Sequence, residues 1–224
     1  MRYQNIVAGK FLSRPNRFIA MVDVDGKIET VHVKNTGRCK ELLTENALVY
    51  LEKSNNPQRK TKYDLIAVEK GKLLINMDAQ APNRVFAEWA KENVADLSFI
   101  KREVTYGDSR FDFYMEAGEK RIFVEVKGVT LEQDGVVMFP DAPTERGVKH
   151  LKGLRRAVEN GYEAMVVFVV QMEQAHLFCP NQKMHPAFAK ELKRAQDQGV
   201  AVRALNCKVC PDELSVIGDI EIKI

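Results

Sequence analysis

Residues 109–128 leave the chain little freedom. Ser109-Arg-Phe-Asp-Phe-Tyr-Met-Glu alternates apolar and polar side chains with a period of two, Ala117-Gly118-Glu119-Lys120 supplies a turn, and Arg121-Ile-Phe-Val-Glu-Val-Lys-Gly alternates again. A two-residue and a four-residue loop set the same register, so the segment reads as a β-hairpin. Phe111, Phe113 and Met115 then oppose Val126, Val124 and Ile122 and present one apolar face to a core. The other face pairs Glu116 with Arg121 and Tyr114 with Phe123, both favourable, but it also sets Asp112 against Glu125 and Arg110 against Lys127. Directly opposed side chains have Cβ atoms about 5 Å apart, and like charges there destabilise a sheet. Two such clashes at neighbouring positions make sense with a divalent cation between the carboxylates and an anion near the cations. Oxygen ligands of this kind suit Mg²⁺ or Mn²⁺ rather than zinc. The bland alternative is a solvated sheet face with its charges splayed into water.

The flanking sequence says what such a hairpin belongs to. Before residue 80 the chain reads as short strands. Phe18–Asp25 alternates toward Asp25-Gly26, a strong hairpin signal, and Lys27–Lys34 answers it. Residues 47–52, 62–69 and 72–76 add three more strands, and Arg38–Leu43 adds one helical turn. Five strands in about 70 residues predict a small barrel of the OB type. After Gln80 the rhythm changes. A helix over Pro82–Leu97 is followed by strands at 99–106, 110–116 and 121–129, a helix over Thr144–Asn160 ended by Gly161, a buried strand at Ala164–Val170, a helix over His185–Gln198, and a final strand at Val200–Leu205. The expected fold class is therefore α+β in two domains: an OB-like barrel over residues 1–80 and a mixed α/β domain over 81–224.

Charge follows the same boundary. The chain of 224 residues has a net charge of +3, but residues 1–80 hold 14 Lys and Arg against 9 Asp and Glu, while the rest hold 20 against 22. The basic excess thus sits on the barrel and points toward a polyanion such as DNA, met mainly at its phosphate backbone. Arg14, Arg17, Lys34, Asn35, Arg38 and Lys40 are its candidate contacts. No apolar run reaches the roughly 18 residues of a membrane span, so a cytoplasmic protein with no membrane partner is expected. His176, Cys179, Cys207 and Cys210 form an HxxC and a CxxC, open to two readings, structural zinc or buried thiols. The oligomeric state is not legible here.

Glu125 and Lys127 stand two apart on one strand and share a face. Lys127 is suited to orient or deprotonate a water beside a metal-polarised phosphate. This Asp…Glu-Val-Lys arrangement, set in the order α-β-β-β-α-β over residues 82–170, resembles the PD-(D/E)XK nuclease superfamily. That resemblance implies catalytic roles for Asp112, Glu125 and Lys127 and names Glu88, on the first helix, as a third metal ligand. In the same fold the helix opened by Thr144 borders the active site, which makes Arg146, Lys149 and His150 candidate phosphate contacts, with Arg110 on the hairpin as another. An i,i+4 surface pair is the competing reading for that helix.

Further segments carry a narrower resemblance: Asn35-Thr-Gly, Arg110-Phe-Asp-Phe, Val124-Glu-Val-Lys-Gly-Val-Thr-Leu and Phe139-Pro-Asp-Ala-Pro-Thr-Glu-Arg-Gly-Val-Lys-His-Leu. Together they are similar to the bacterial sugar fermentation stimulation protein A family. The resemblance implies an OB domain before a nuclease-like domain, non-specific DNA binding and a regulatory role in maltose metabolism. Three functions stay open: a DNA-binding regulator with an idle metal site, a Mg²⁺-dependent DNA endonuclease, and a non-DNA enzyme reusing the fold.

Overall fold

The structure is a computed structural model and describes every residue except Thr36 and Arg38. The first domain is a barrel. Strands β1 (Ile6–Asn16), β2 (Ile19–Val24), β3 (Lys27–Val33), β4 (Leu48–Lys53) and β5 (Tyr63–Lys70) pair in the order β3-β2-β1-β4-β5, and a parallel β3–β5 contact closes the ring. Asp25 and Gly26 both take positive φ at the β2–β3 turn, the conformation a two-residue hairpin loop requires. The helical turn expected near residue 40 forms as Leu42 and Leu43 amides donating to the Cys39 carbonyl. Its first residue, Arg38, lies outside the described residues.

Two strands of the barrel domain differ from expectation. β1 is additional to the expected strands: Gly9 and Pro15 interrupt its pattern, and its register against β2 shifts twice. Gly9 is there for close approach: a Cβ on it would stand 2.6 Å from Val22 Cγ1. β6 (Leu73–Asn76) lies outside the closed ring. It pairs with β5 and leads into the second domain, where Ile75 bridges Met172.

That domain begins with α1 (Ala81–Asn93) and the strands β7 (Leu97–Tyr106), β8 (Ser109–Ala117) and β9 (Lys120–Val129). α1 stops short of the expected Leu97 because Val94 is already extended, and Leu97 pairs with Ala117 at the start of β7. Then come β10 (Leu131–Gln133), β11 (Val136–Phe139), α2 (Glu145–Glu159), β12 (Glu163–Val170), β13 (Leu177–Pro180), α3 (Pro186–Asp197), β14 (Ala201–Cys210), β15 (Glu213–Asp219) and β16 (Glu221–Ile222). The main sheet runs β15-β14-β12-β9-β8-β7, with β9, β12 and β14 parallel. Its last parallel strand continues past the expected end at Leu205 to Cys210 and turns back as β15. β10, β11, β13 and β16 make a small second sheet; strands this short carry too little periodicity to read.

Both faces of the main sheet are covered. On one, α1 packs Val85 and Phe86 against Phe113, Met115, Val124 and Val126. On the other, α2 packs Leu151 and Leu154 over Phe111, Phe123 and Phe168.

Buried polar groups join the two domains. The Gln171 amide nitrogen donates to Asn76 Oδ1 at 2.9 Å and to the Asp78 carbonyl at 3.1 Å, while its backbone carbonyl accepts from the Asn76 amide. Gln171→Ala removes two buried interdomain hydrogen bonds, each acceptor keeping one backbone donor (the Asp78 amide to Asn76 Oδ1, the Ala81 amide to the Asp78 carbonyl), and is expected to cost about 1–3 kcal/mol in denaturant unfolding. A loss below about 0.5 kcal/mol contradicts a structural role for this link.

Candidate functional site

The β8–β9 hairpin has the expected register over its closed half. Ala117 pairs with Lys120, Glu116 with Arg121, Tyr114 with Phe123 and Phe113 with Val124, around a Gly118-Glu119 turn whose glycine has φ 58°. The ladder then ends. Asp112 does not sit opposite Glu125 in it. Instead its Oδ2 accepts the Val126 amide at 2.8 Å, taking a donor that the ladder leaves free. Its Oδ1 accepts from Asn83 Nδ2 at 3.0 Å, from the first turn of α1.

Beyond this point the sheet face also changes. Phe113 and Met115 share one apolar face, as expected, and pack on the α1 side, but Phe111 packs on the α2 side, with ring centroids 5.4 Å from Phe123 and 6.2 Å from His150. The expected Arg110–Lys127 opposition gives way in the same manner: Arg110 lies 3.8 Å from Glu103, and Lys127 turns to Glu125.

Glu125 is 2% exposed and points to the α2 side. Its Oε1 accepts from Lys127 Nζ at 2.5 Å and from His150 Nδ1. His150 Nε2 in turn lies 3.4 Å from Arg146 Nε. An arginine Nε–H only donates, so Nε2 carries the lone pair and Nδ1 the proton that meets Glu125. Burial opposes ionisation of Glu125, but His150 and Lys127 outweigh it and hold the carboxyl below its ordinary range. Asp112 goes the other way: burial first, and the Glu125 charge second, raise it above its usual 3.8 despite the Val126 and Asn83 donors. Glu125 Oε2 is buried and, among the described residues, has no hydrogen-bond partner. Two mutually interacting carboxylates thus have, among the described residues, one oxygen left over, a donor set suited to a hard divalent cation.

Other sequence-predicted residues lie elsewhere or in other roles. Glu88 pairs with the Met1 ammonium at 2.7 Å, and the α1 residue that reaches Asp112 is Asn83. His150 is 5% exposed, so it is a buried partner of Glu125 and not a surface phosphate contact. Lys34 stands among Asp78 (3.1 Å), Asp64 (3.6 Å) and Glu52 (4.0 Å). Arg14 holds the Gly37, Asn35 and Arg17 carbonyls, a clamp on the loop rather than an outward contact. Asn35 caps that loop by accepting from the Gly37 amide. Arg17 lies over the half-exposed Phe18 ring, and Lys40 is exposed. Arg146 and Lys149 are exposed on α2. His176, Cys179, Cys207 and Cys210 do not assemble: all four thiols of the chain are free, and no group of three His, Cys, Asp or Glu side chains suited to a metal occurs among the described residues.

A cleft of about 360 Å³ runs between the domains. Asn35 and Gly37 line one wall; Gly128, Thr130, Asp141, Thr144 and Gln171 line the other. A closed five-stranded OB barrel set against a mixed α/β domain, with the charged cluster where β8 and β9 part, defines the class of protein. The chain belongs to the sugar fermentation stimulation protein family. A model of that family's N-terminal OB domain matches residues 12–77, and one of its RE domain matches residues 80–213. Sugar fermentation stimulation protein homologues from Desulfitobacterium hafniense and Clostridium beijerinckii are 56% and 53% identical, over 100% and 96% of this chain and 99% and 96% of their own. The solved structure of the Pyrococcus furiosus family protein in complex with Ca²⁺ superposes with a TM-score of 0.91 at 29% identity, covering 100% of this chain and 98% of that one.

The raised Asp112 gives a pH dependence of defined sign. In the metal-free folded chain Asp112 keeps its proton to higher pH than in the unfolded chain, where it titrates near 3.8. The stability this contributes is complete below 3.8 and is lost as pH rises past it. The unfolding free energy of wild type minus that of Asp112→Asn should therefore fall as pH rises above 3.8 in metal-free buffer. A difference that rises with pH contradicts this electrostatic reading.

Proposed function

We propose that this protein binds DNA non-specifically through the phosphate backbone, and that Asp112 and Glu125 hold Mg²⁺ or Mn²⁺ there. The observation that carries the cation site is the buried Glu125 Oε2, without a partner among the described residues, beside an Asp112 whose carboxyl is pushed up by burial and by the Glu125 charge. Two protein carboxylates suit Mg²⁺, which keeps several waters and takes further ligands from a phosphate. The Ca²⁺ in the Pyrococcus furiosus relative is a hard cation of the same ligand preference.

DNA is the partner that the OB barrel and its basic excess favour. Arg17 and Phe18 offer a cation beside an exposed ring, the pairing that tracks backbone and bases together. Backbone contacts of this sort are indifferent to sequence and weaken steeply with salt.

A second reading, phosphodiester hydrolysis, is favoured by Lys127. Its ammonium is partly buried on the Glu125 carboxylate, where it can orient a water against a phosphate bound at the same carboxylates. When bound, the cation would polarise the phosphate and stabilise charge on the leaving oxygen. Asn83 and the Val126 amide keep Asp112 aimed; His150 and Lys127 keep Glu125 aimed.

Supercoiled plasmid incubated with Mg²⁺ or Mn²⁺ tests both readings. Wild type should nick it, Asp112→Ala should not, and Lys127→Met should lose on the order of 100-fold in rate. Gel shift in EDTA should be retained by all three. A shift without cleavage under any of these conditions contradicts hydrolysis, and no shift at low salt contradicts DNA binding.

A further inference from the structure

One charged surface is not accounted for by the cluster itself. Along α2, Arg146, Lys149, Lys152 and Arg156 are all exposed, while Val148, Leu151, Leu154 and Ala157 are buried beneath them. Spacings of three and four put the cations on one stripe. At 1.5 Å per residue, Arg146 to Arg156 spans about 15 Å, room for about four nucleotides of one duplex strand. Arg155 is not part of it, being tied to Glu191 and Gln198.

The stripe starts at the cluster, because Arg146 contacts His150, which holds Glu125. At its far end Asp108, on the tip of the β7–β8 turn, inserts a carboxylate between two of the cations. It pairs with Arg156 and lies 3.5 Å from Lys149 Nζ. Arg156 foremost, with Lys149, holds the Asp108 carboxyl below its ordinary range. Asp108, Lys149, Lys152, Arg155, Arg156 and Glu159 line a groove of about 330 Å³ around this contact.

We propose that the α2 stripe is the track along which a DNA strand leaves the Asp112–Glu125 cluster, and that Asp108 occupies a phosphate position on it when no DNA is bound. The inference rests on the DNA-binding reading above and gives it a path and a built-in competitor. A carboxylate and a phosphate oxygen are both anionic acceptors for a lysine and an arginine, so the two exclude each other at one pair of cations. DNA then has to displace Asp108, which lowers affinity in wild type.

The test is fluorescence anisotropy with a labelled duplex of about 20 base pairs in EDTA, between about 50 and about 200 mM salt. Lys149→Ala/Lys152→Ala should bind about tenfold more weakly than wild type at low salt, with a log–log salt slope smaller by about 2. Asp108→Asn should bind about threefold more tightly. Asp197→Asn, which removes an exposed carboxylate paired with Lys193 on α3, controls for net charge and should match wild type. All four residues are at the surface, so thermal unfolding should be close to that of wild type. Unchanged affinity and slope in the double variant overturn the track while leaving DNA binding intact. An Asp108→Asn effect no larger than that of Asp197→Asn overturns the competitor role. Failure of wild type to bind at low salt overturns the DNA reading itself, and the track with it.

Discussion

The hydrogen bond from the Val126 amide to Asp112 Oδ2 decides much of what this domain can do. An unbroken β8–β9 ladder would give that amide to a backbone carbonyl and set Asp112 squarely against Glu125, a like-charge pair that the sheet tolerates poorly. The strands part after Phe113 and Val124, and the side chain takes over the ladder's role. Phe111 is released to the α2 side and fills the core under His150. His150, seated on that ring, reaches Glu125. The geometry of the charged cluster is thus a consequence of how a sheet accommodates one carboxylate.

The barrel is not a loosely tethered appendage. Asp64, buried on β5, is pulled down to about 2 by Arg59, His32 and Lys34 against the opposing effect of burial. Lys34 also reaches Asp78, whose Oδ2 meets the Tyr3 hydroxyl and whose carbonyl meets Gln171. A polar chain therefore runs from the barrel wall to the end of β12, beside the interdomain cleft. Basic residues that composition assigns to a ligand are here committed to carboxylates and carbonyls. That shifts the cationic surface open to a partner toward Arg17, Lys40 and the outer face of α2.

How far the sequence reveals this depends on the range of the interaction. The hairpin turns at Asp25-Gly26 and Gly118-Glu119, the Thr144 cap of α2 and the alternation of β8 and β9 are local, and each was readable from a few residues. So were the residues of the cluster, because Asp112, Glu125 and Lys127 share one hairpin. Asn83 was not: nothing at the start of α1 marks an asparagine that reaches a strand 29 residues later. Glu88 was assigned by resemblance alone, and its partner turned out to be the chain's own ammonium. β10 and β11 form a local hairpin around Asp134-Gly135 with strands too short to show a pattern, and β13 exists through pairing with β11 some forty residues earlier. The burial of His150 could have been read from its place between Val148 and Leu151 on the apolar side of α2.

The divalent-cation site proposed at Asp112 and Glu125 is open to a direct test. Isothermal titration of metal-free protein with Mn²⁺, and separately with Ca²⁺, addresses it without relying on any activity. One site per chain in wild type, with affinity lost at least tenfold in both Asp112→Asn and Glu125→Gln, is the predicted result. Equal binding by wild type and both variants, or none by wild type in the millimolar range where many such sites operate, would contradict it.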